Sequence, residues 1–193
     1  MRLDSEDALR LASVLWWLLL GVWFALWSRS KQDKRHELPW QRALHIVPVI
    51  IGFWLLFGRM SPWTFLKNPF PPPNDFLPWI GLFVNACGVG MAIWARFSLG
   101  TNWSSVVTLK KDHELIRKGL YSRIRHPIYT GILVGALGTA LIRDQLRGWL
   151  GVAVIFLTFY FKAQREEAFL RQEFGAGFEE HARRTGMFFP KVT

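Results

Sequence analysis

A stretch of seventeen residues without a single charge, LASVLWWLLLGVWFALW at 11–27, limits what this chain can fold into more than any other feature. A polar start that carries Asp4, Glu6 and Asp7 precedes it, and a basic segment follows it. A secretory signal instead has a basic start, a shorter apolar core and small residues before a cleavage site. The sequence therefore predicts a permanent membrane helix here.

Four further apolar segments predict an all-α integral membrane protein with five transmembrane helices. The five segments cover about 11–27, 43–60, 76–98, 127–142 and 148–163. The last two are near or below the ~17–25 residues that span a bilayer, and only RDQLR separates them. We therefore predict that they form a short helical hairpin, followed by a cytoplasmic C-terminal helical segment. The Pro-rich stretch 68–76 should be a non-helical connector, because Pro removes a backbone donor and clashes with the preceding turn.

The formal charge of +10 suits either nucleic acid or a membrane with anionic lipid. With five spans, sixteen Lys and Arg residues fall on one side of the membrane, in segments 28–42, 99–126 and 164–193, and five fall on the other side. Cytoplasmic loops carry the excess of basic residues. We therefore predict an external N-terminus and a cytoplasmic C-terminus. Because topology explains the charge, we predict a lipid bilayer and no nucleic acid as the partner.

Two polar segments on the predicted cytoplasmic side could carry chemistry. In GLYSRIRHPIYTG (119–131), Pro127 predicts a helix start beside His126, where free backbone N–H groups and the helix dipole favour an anion. In KAQREEAFLRQEFGAGFEE (162–180), Lys162 and Glu166 are four residues apart and share one helix face. From the residues alone, a capped helix and a surface ion pair remain the simpler explanation of both segments.

Metal and disulfide chemistry find no support in the sequence. The five histidines lack paired metal-ligand spacing, and the single Cys87 excludes an intrachain disulfide and any multi-Cys metal site. We predict no metal. Gly88 and Gly90 in the third apolar segment predict close packing of another helix.

Three stretches, in order and at matching spacing, resemble the isoprenylcysteine carboxyl methyltransferase family in its small prokaryotic form. They are LGTNWSSVV (99–107), DHELIRKGLYSRIRHPIYTG (112–131) and REEAFLRQEFGAGFEEHARRTGMFFP (165–190). The family pattern is His-x-Leu, Gly-x-Tyr, Arg-His-Pro-x-Tyr, a membrane hairpin, Glu-Glu, Phe-Gly and a closing Pro. The resemblance implies a single methyltransferase domain over 1–193, with the first two spans and the connector at 1–75 and the cofactor-binding core at 76–193.

The resemblance implies an S-adenosylmethionine-dependent methyltransferase that binds its cofactor on the cytoplasmic side of the membrane. The implied acceptor is lipophilic, in the simplest case the carboxylate of an isoprenylcysteine-like molecule or of a prenylated partner. Glu166 is implied to hold the amino acid moiety of the cofactor, and Lys162, where eukaryotic members have Arg, to face the acceptor. The positions implied to line the cofactor pocket are Thr108, His113, Glu114, Leu115, Ile116, Tyr121, His126, Pro127, Ile128 and Tyr129. In related phospholipid methyltransferases a Gly-x-Gly in a membrane helix also contacts the cofactor, and Gly88 and Gly90 are the candidates for it here.

Two alternatives stay open at this point. Sterol-reductase-like oxidoreductases, which use a nicotinamide cofactor, share an Arg-His-Pro-x-Tyr-like C-terminal region, although they are longer chains with more spans. The other alternative is a membrane protein that keeps the same scaffold without turnover. Binding of S-adenosylmethionine, compared with binding of NADPH, separates these three hypotheses.

Overall fold

The computed structural model describes residues 5–27, 39–58, 64–72, 74–100 and 115–191. These residues form six α-helices and no β-strand, which agrees with the predicted all-α class. The helices are α1 (Ser5–Trp27), α2 (Pro39–Phe57), α3 (Leu77–Leu99), α4 (Pro127–Arg143), α5 (Leu146–Phe174) and α6 (Ala176–Arg184). Short 3-10 turns at Thr64–Lys67 and Gly119–Ser122 lie between them.

Four of the helices are long and apolar enough to cross a membrane, namely α1, α2, α3 and α5. Their outward faces are strongly apolar: the side chains of Trp17, Phe24 and Phe83 are 71%, 82% and 70% exposed. Exposed aromatic surface of this extent is suited to contact with lipid. α4 has only 17 residues, at the lower limit for a span, so the count of five spans stays a prediction.

The predicted hairpin between the fourth and fifth segments is present as α4 and α5, joined by two residues. Asp144 ends α4 in the left-handed conformation, with φ 53°, which an Asp tolerates because its short polar side chain can hydrogen-bond locally. α5 is much longer than the apolar segment 148–163, because the helix continues without a break to Phe174. This continuation carries Arg165, Glu166 and Glu167 beyond the apolar segment, with Lys162 at its border.

The Pro-rich connector is non-helical over its described residues, as predicted. It is tied to the hairpin by backbone bonds: the Phe70 N–H donates to the Asp144 carbonyl at 3.3 Å, and the Leu146 N–H donates to the Asn68 carbonyl at 3.1 Å. The indole of Trp149 also donates to the Phe70 carbonyl at 2.7 Å. The connector therefore covers the hairpin end of the helix bundle.

α3 and α4 pack backbone to backbone along a seam of glycines. A Cβ added at Gly88 would lie 2.1 Å from the Gly135 nitrogen, and one added at Gly138 would lie 2.3 Å from the Asn85 nitrogen. The buried Asn85 amide crosses this seam and donates to the Gly135 carbonyl at 2.9 Å. The packing role predicted for Gly88 is confirmed. Gly90 instead lies on an exposed face with no atom within 4 Å of its added Cβ.

We expect Gly88→Ala to destabilise the protein, whereas Gly90→Ala should be neutral or slightly stabilising. The added methyl at position 88 would overlap the α4 backbone, which cannot move aside as a flexible side chain can; overpacking of this kind costs about 1–3 kcal/mol. Thermal unfolding of both variants in detergent measures the difference. Equal midpoints for the two variants would contradict the seam.

Candidate active site

The N-terminal end of α4 contacts residues 185–188, here called the C-terminal segment, which follow α6 and return to α4. Backbone bonds join the two: the Arg125 N–H donates to the Gly186 carbonyl at 2.9 Å, and the His126 N–H donates to the Met187 carbonyl at 3.0 Å. The Thr130 hydroxyl donates to the Phe188 carbonyl at 2.8 Å. The segment that ends the chain thus forms one wall around His126.

α5 forms the opposite wall and brings Glu166 and Glu167 to the two edges of the His126 ring. His126 Nδ1 lies 3.5 Å from Glu166 Oε2, and His126 Nε2 lies 3.3 Å from Glu167 Oε1. The Tyr129 hydroxyl donates to Glu166 Oε1 at 2.7 Å. Adjacent helix residues point about 100° apart, and here this places one carboxylate on each side of a single imidazole.

Aromatic rings stack beneath these polar groups. The Tyr129 ring lies parallel to His126, with centroids 5.4 Å apart, and stacks on Phe159 at 4.6 Å. Lys162 Nζ lies 5.6 Å from the centre of the Tyr129 ring and 4.0 Å from Glu166 Oε1. The cluster therefore contains a carboxylate, a phenol, an imidazole and an ammonium within one small volume.

Glu166 and Glu167 differ in their access to solvent. The Glu166 side chain is 22% exposed, whereas that of Glu167 is 3% exposed. Arg125 covers Glu167 and forms an ion pair with it, in which Arg125 Nε donates to Glu167 Oε1 at 2.7 Å. Arg125 Nη1 also donates to the Thr185 carbonyl at 2.5 Å, which ties α5, α4 and the C-terminal segment together.

Burial and the neighbouring carboxylates shift the pKa values of His126 and Tyr121. Burial alone lowers the pKa of His126, but the adjacent Glu166 and Glu167 carboxylates outweigh it and raise the pKa above its ordinary value. Burial, with a smaller contribution from the Glu166 charge, also raises the pKa of Tyr121 above its ordinary value. The two carboxylates thus shift His126 toward its protonated form, and burial shifts Tyr121 toward its neutral form.

The structure brings together four of the residues singled out in the sequence: His126, Tyr129, Lys162 and Glu166. Pro127 occupies the first position of α4. Ile128 and Tyr121 are buried in an adjoining apolar cluster, against which Ile116 packs. Leu115 is half-buried nearby in the chain. Thr108, His113 and Glu114 lie outside the described residues.

Sequence reasoning did not assign roles to Arg125, Thr185 and Phe188, and for Glu167 it predicted only a position outside the pocket, against solvent or a neighbouring arginine. Phe188 lies against His126 with ring centroids 6.2 Å apart. The only available signals were the Arg directly before His126 and the second Glu of the pair, both of which read equally well as surface charges. The structure gives no support for contact between Gly88 and a cofactor, because the Gly88 backbone packs directly against α4.

The chemistry of this donor set fits S-adenosylmethionine. Glu166 offers a partly open carboxylate for an ammonium, and a charge-assisted hydrogen bond is among the stronger polar contacts. Tyr129 and His126 add aromatic faces beside it. No group of three His, Cys, Asp or Glu residues suited to a metal ion occurs in the part of the chain that the structure describes.

The chain is similar in sequence to known methyltransferases. The family model of phospholipid methyltransferases matches residues 76–177. A probable protein-S-isoprenylcysteine O-methyltransferase of Oryza sativa subsp. indica is 30% identical over 120 residues, covering 61% of this chain and 63% of that protein. The human protein-S-isoprenylcysteine O-methyltransferase is 29% identical over 157 residues, 77% of this chain and 53% of that protein.

A bacterial relative has a different name. The cobalt-zinc-cadmium resistance protein CzcN of Cupriavidus metallidurans is 32% identical over 119 residues, which cover 60% of this chain and 55% of that protein. The matched region thus spans between about half and two thirds of the length of these relatives. The matches confirm the family resemblance seen in the three sequence stretches.

Proposed function

This chain belongs to the phospholipid methyltransferase family, and from that premise we propose that it transfers a methyl group from S-adenosylmethionine to a lipophilic acceptor at the membrane interface. The observation that carries the proposal is the cluster at the start of α4. There the partly exposed Glu166 receives a hydrogen bond from Tyr129 and lies beside His126. The cluster sits where the apolar part of α5 gives way to its polar end.

Glu166 is the group proposed to bind the cofactor ammonium, and Tyr129 and His126 hold its carboxylate in place. The hydrogen bond from Tyr129 leaves Glu166 Oε2 directed toward His126 Nδ1. Lys162 Nζ lies 4.0 Å from the other oxygen, Glu166 Oε1, and these contacts together leave Glu166 little freedom to turn. A carboxylate held in this way binds a cation without first losing conformational freedom.

S-adenosylmethionine would supply an activated methyl group, whose bond to sulfur breaks as a bond to the acceptor oxygen forms, so that a sulfonium and a carboxylate both become neutral. A carboxylate acceptor is already ionised at pH 7, so no general base is required. The work left to the protein is to orient the acceptor and to exclude water. The stacked rings of Tyr129, Phe159 and His126 form an aromatic wall that suits this purpose.

An isoprenylcysteine-like carboxylate is the proposed acceptor. Lys162 supplies a cation one helical turn before Glu166 and at the border of the apolar part of α5, where a lipid-borne anion arrives from the bilayer. Its ammonium is a point charge that cannot make the bidentate contact of an arginine. The site and the C-terminus are proposed to face the cytoplasm, a topology that rests on the excess of basic residues in the adjoining segments.

Two measurements on the purified full chain test this function. Calorimetric titration should detect binding of S-adenosylmethionine and none of NADPH, and labelled methyl groups should appear in an isoprenylcysteine such as N-acetyl-S-farnesylcysteine. Preferential binding of NADPH would favour the oxidoreductase alternative and refute the proposal. Cofactor binding with no methyl transfer to carboxylate, thiol or amine lipids would favour a non-catalytic scaffold.

We expect Lys162→Ala to lower turnover of the isoprenylcysteine at least about ten-fold, since a charge-assisted contact contributes about 1.5–3 kcal/mol. Cofactor affinity should stay nearly unchanged, and Lys162→Arg should keep most of the activity, because it retains the cation. Steady-state kinetics and titration measure both quantities. The exposed Lys118→Ala is the control. If Lys162→Ala instead weakens binding of S-adenosylmethionine and leaves the turnover of the saturated enzyme unchanged, the proposed contact of Lys162 with the acceptor is wrong.

A further inference from the structure

His126 lies between two carboxylates that differ in their surroundings. Its Nδ1 lies 3.5 Å from Oε2 of the partly exposed Glu166, and its Nε2 lies 3.3 Å from Oε1 of the buried Glu167. Nε2 is itself closed off from solvent. In a neutral imidazole one nitrogen carries the proton and the other accepts a hydrogen bond. The groups around His126 therefore decide which of its nitrogens is available to a ligand.

Fixed cations already accompany both carboxylates of this cluster. The charged and titratable groups there are Lys162, Glu166, Glu167 and Arg171 on α5, Glu179 and His181 on α6, Tyr129 on α4, and Tyr121 and Arg125 before α4. Each oxygen of Glu167 lies near an arginine, at 2.7 and 3.5 Å. Lys162 Nζ lies 4.0 Å from Glu166 Oε1. A proton on His126 therefore adds a further cation beside carboxylates that already have cationic partners.

An ammonium group bound at Glu166 would change the balance of charge at His126. The Tyr129 hydroxyl donates to Glu166 Oε1 at 2.7 Å, and the other oxygen, Oε2, faces His126 Nδ1. A cation held at Oε2 therefore meets the imidazole, and two cations beside one carboxylate oxygen repel each other more strongly in a buried site than in water. Loss of the His126 proton removes this repulsion and makes Nδ1 a second acceptor.

We propose that His126 releases its proton to solvent when the cofactor ammonium binds at Glu166, and that the neutral ring then accepts a hydrogen bond from this ammonium at Nδ1. Glu167 is the positioning residue, because its negative charge beside Nε2 keeps the remaining proton on that nitrogen. The inference rests on the proposed binding of S-adenosylmethionine at Glu166 and adds the protonation state that the site reaches.

This proton release makes the affinity for the cofactor depend on pH. Burial lowers the pKa of free His126, but Glu166 and Glu167 outweigh it and raise the pKa above its ordinary value. Below that pKa a proton leaves as the cofactor binds, so the affinity should rise about ten-fold per pH unit. Above it the affinity should level off. Measurements should stay below about pH 7.5, because an α-amino group itself loses its proton near 7.7–8.0.

Calorimetric titration of the full chain with S-adenosylmethionine at about pH 6, where an ordinary histidine is largely protonated, tests the inference. Repeating it in two buffers of different ionisation enthalpy counts the protons, and we expect about one released per cofactor bound. His126→Gln keeps an acceptor oxygen but has no proton to lose, so the release should vanish and the affinity should become independent of pH. His181→Gln is the matched control and should keep the release, because His181 is equally buried and also lies near Glu167.

Glu167→Gln, measured at a temperature where it is folded, tests the positioning role. The pH at which the affinity levels off should move down by about one unit, since a neighbouring opposite charge shifts a titration by at least that much. A purely structural Glu167 would leave this pH unchanged, and that result would overturn its role.

Three results with the unaltered chain and the His126 variant would overturn the proton release. They are binding without proton exchange, release that persists in His126→Gln, and proton uptake, which would place His126 on the cofactor carboxylate instead. If S-adenosylmethionine does not bind at any pH, the proposed function is refuted, and this inference with it.

Discussion

Replacing Glu167 by Gln is expected to lower the stability of the folded chain by about 3 kcal/mol. Glu167 lies 2.7 Å from Arg125 in a pair whose side chains are 3% and 12% exposed. Removing one partner of a buried ion pair costs about 3–5 kcal/mol, because the other charge stays buried without compensation. We expect the lower end of this range for Glu167→Gln, because the amide oxygen of Gln still accepts a hydrogen bond from Arg125. Thermal unfolding in detergent should show a midpoint lower by on the order of 10 °C.

The matched control for Glu167→Gln is Glu179→Gln. Glu179 also pairs with an arginine, Arg171, at 2.9 Å, but both side chains are about half exposed. Exposed pairs contribute about 0–1 kcal/mol, so this midpoint should hardly move. The same small shift for both variants would mean that the Arg125–Glu167 pair does not hold the C-terminal segment against α4.

The second large effect is expected at Glu166, where replacement by Gln should weaken binding of S-adenosylmethionine ten- to a hundred-fold. The substitution keeps the volume and removes the charge that would meet the cofactor ammonium. A hydrogen bond to a charged group contributes about 1.5–3 kcal/mol, which corresponds to that range of affinity. Because the Glu166 side chain is 22% exposed, Glu166→Gln should lower the stability of the folded chain less than Glu167→Gln does.

Calorimetric titration of the Glu166→Gln and Glu167→Gln variants, at a temperature where both are folded, separates the two roles. Binding should fall at Glu166 and change less at Glu167. If both effects are small and equal, the two carboxylates serve only the fold, and the proposed cofactor site must be moved elsewhere. If Glu167→Gln has the larger effect on binding, the assignment of the two neighbours must be exchanged.

Several parts of the fold were readable from local sequence. The apolar segments predicted α1, α2 and α3 because only a helix satisfies every backbone group within hydrocarbon. Pro127 predicted the start of α4 because Pro is favoured in the first helical turn, where its missing N–H needs no partner. The short charged break at 143–147 predicted the hairpin. Each inference needed no more than neighbouring residues.

The candidate site was only partly readable. The ordered motifs singled out His126, Tyr129, Lys162 and Glu166, which the structure brings together. They could not assign the contacts of Arg125 with Glu167 and Thr185, since these join residues 42 and 60 positions apart. Charged residues near helix ends have the same local pattern whether they are buried or exposed. Burial depends on what the rest of the chain places over them.

Sequence by itself determined where the helices lie and which polar segments adjoin them, because hydrophobicity and proline act locally. Tertiary structure decided which member of a similar pair is buried. Gly88 packs against α4 and Gly90 faces outward, since positions two apart on a helix point about 200° apart. Glu167 is sealed while Glu166 stays open for the same geometric reason. Tertiary structure likewise decided that α1 packs on α3 and α4 whereas α2 packs mainly on α5, a choice set by contacts between distant parts of the chain.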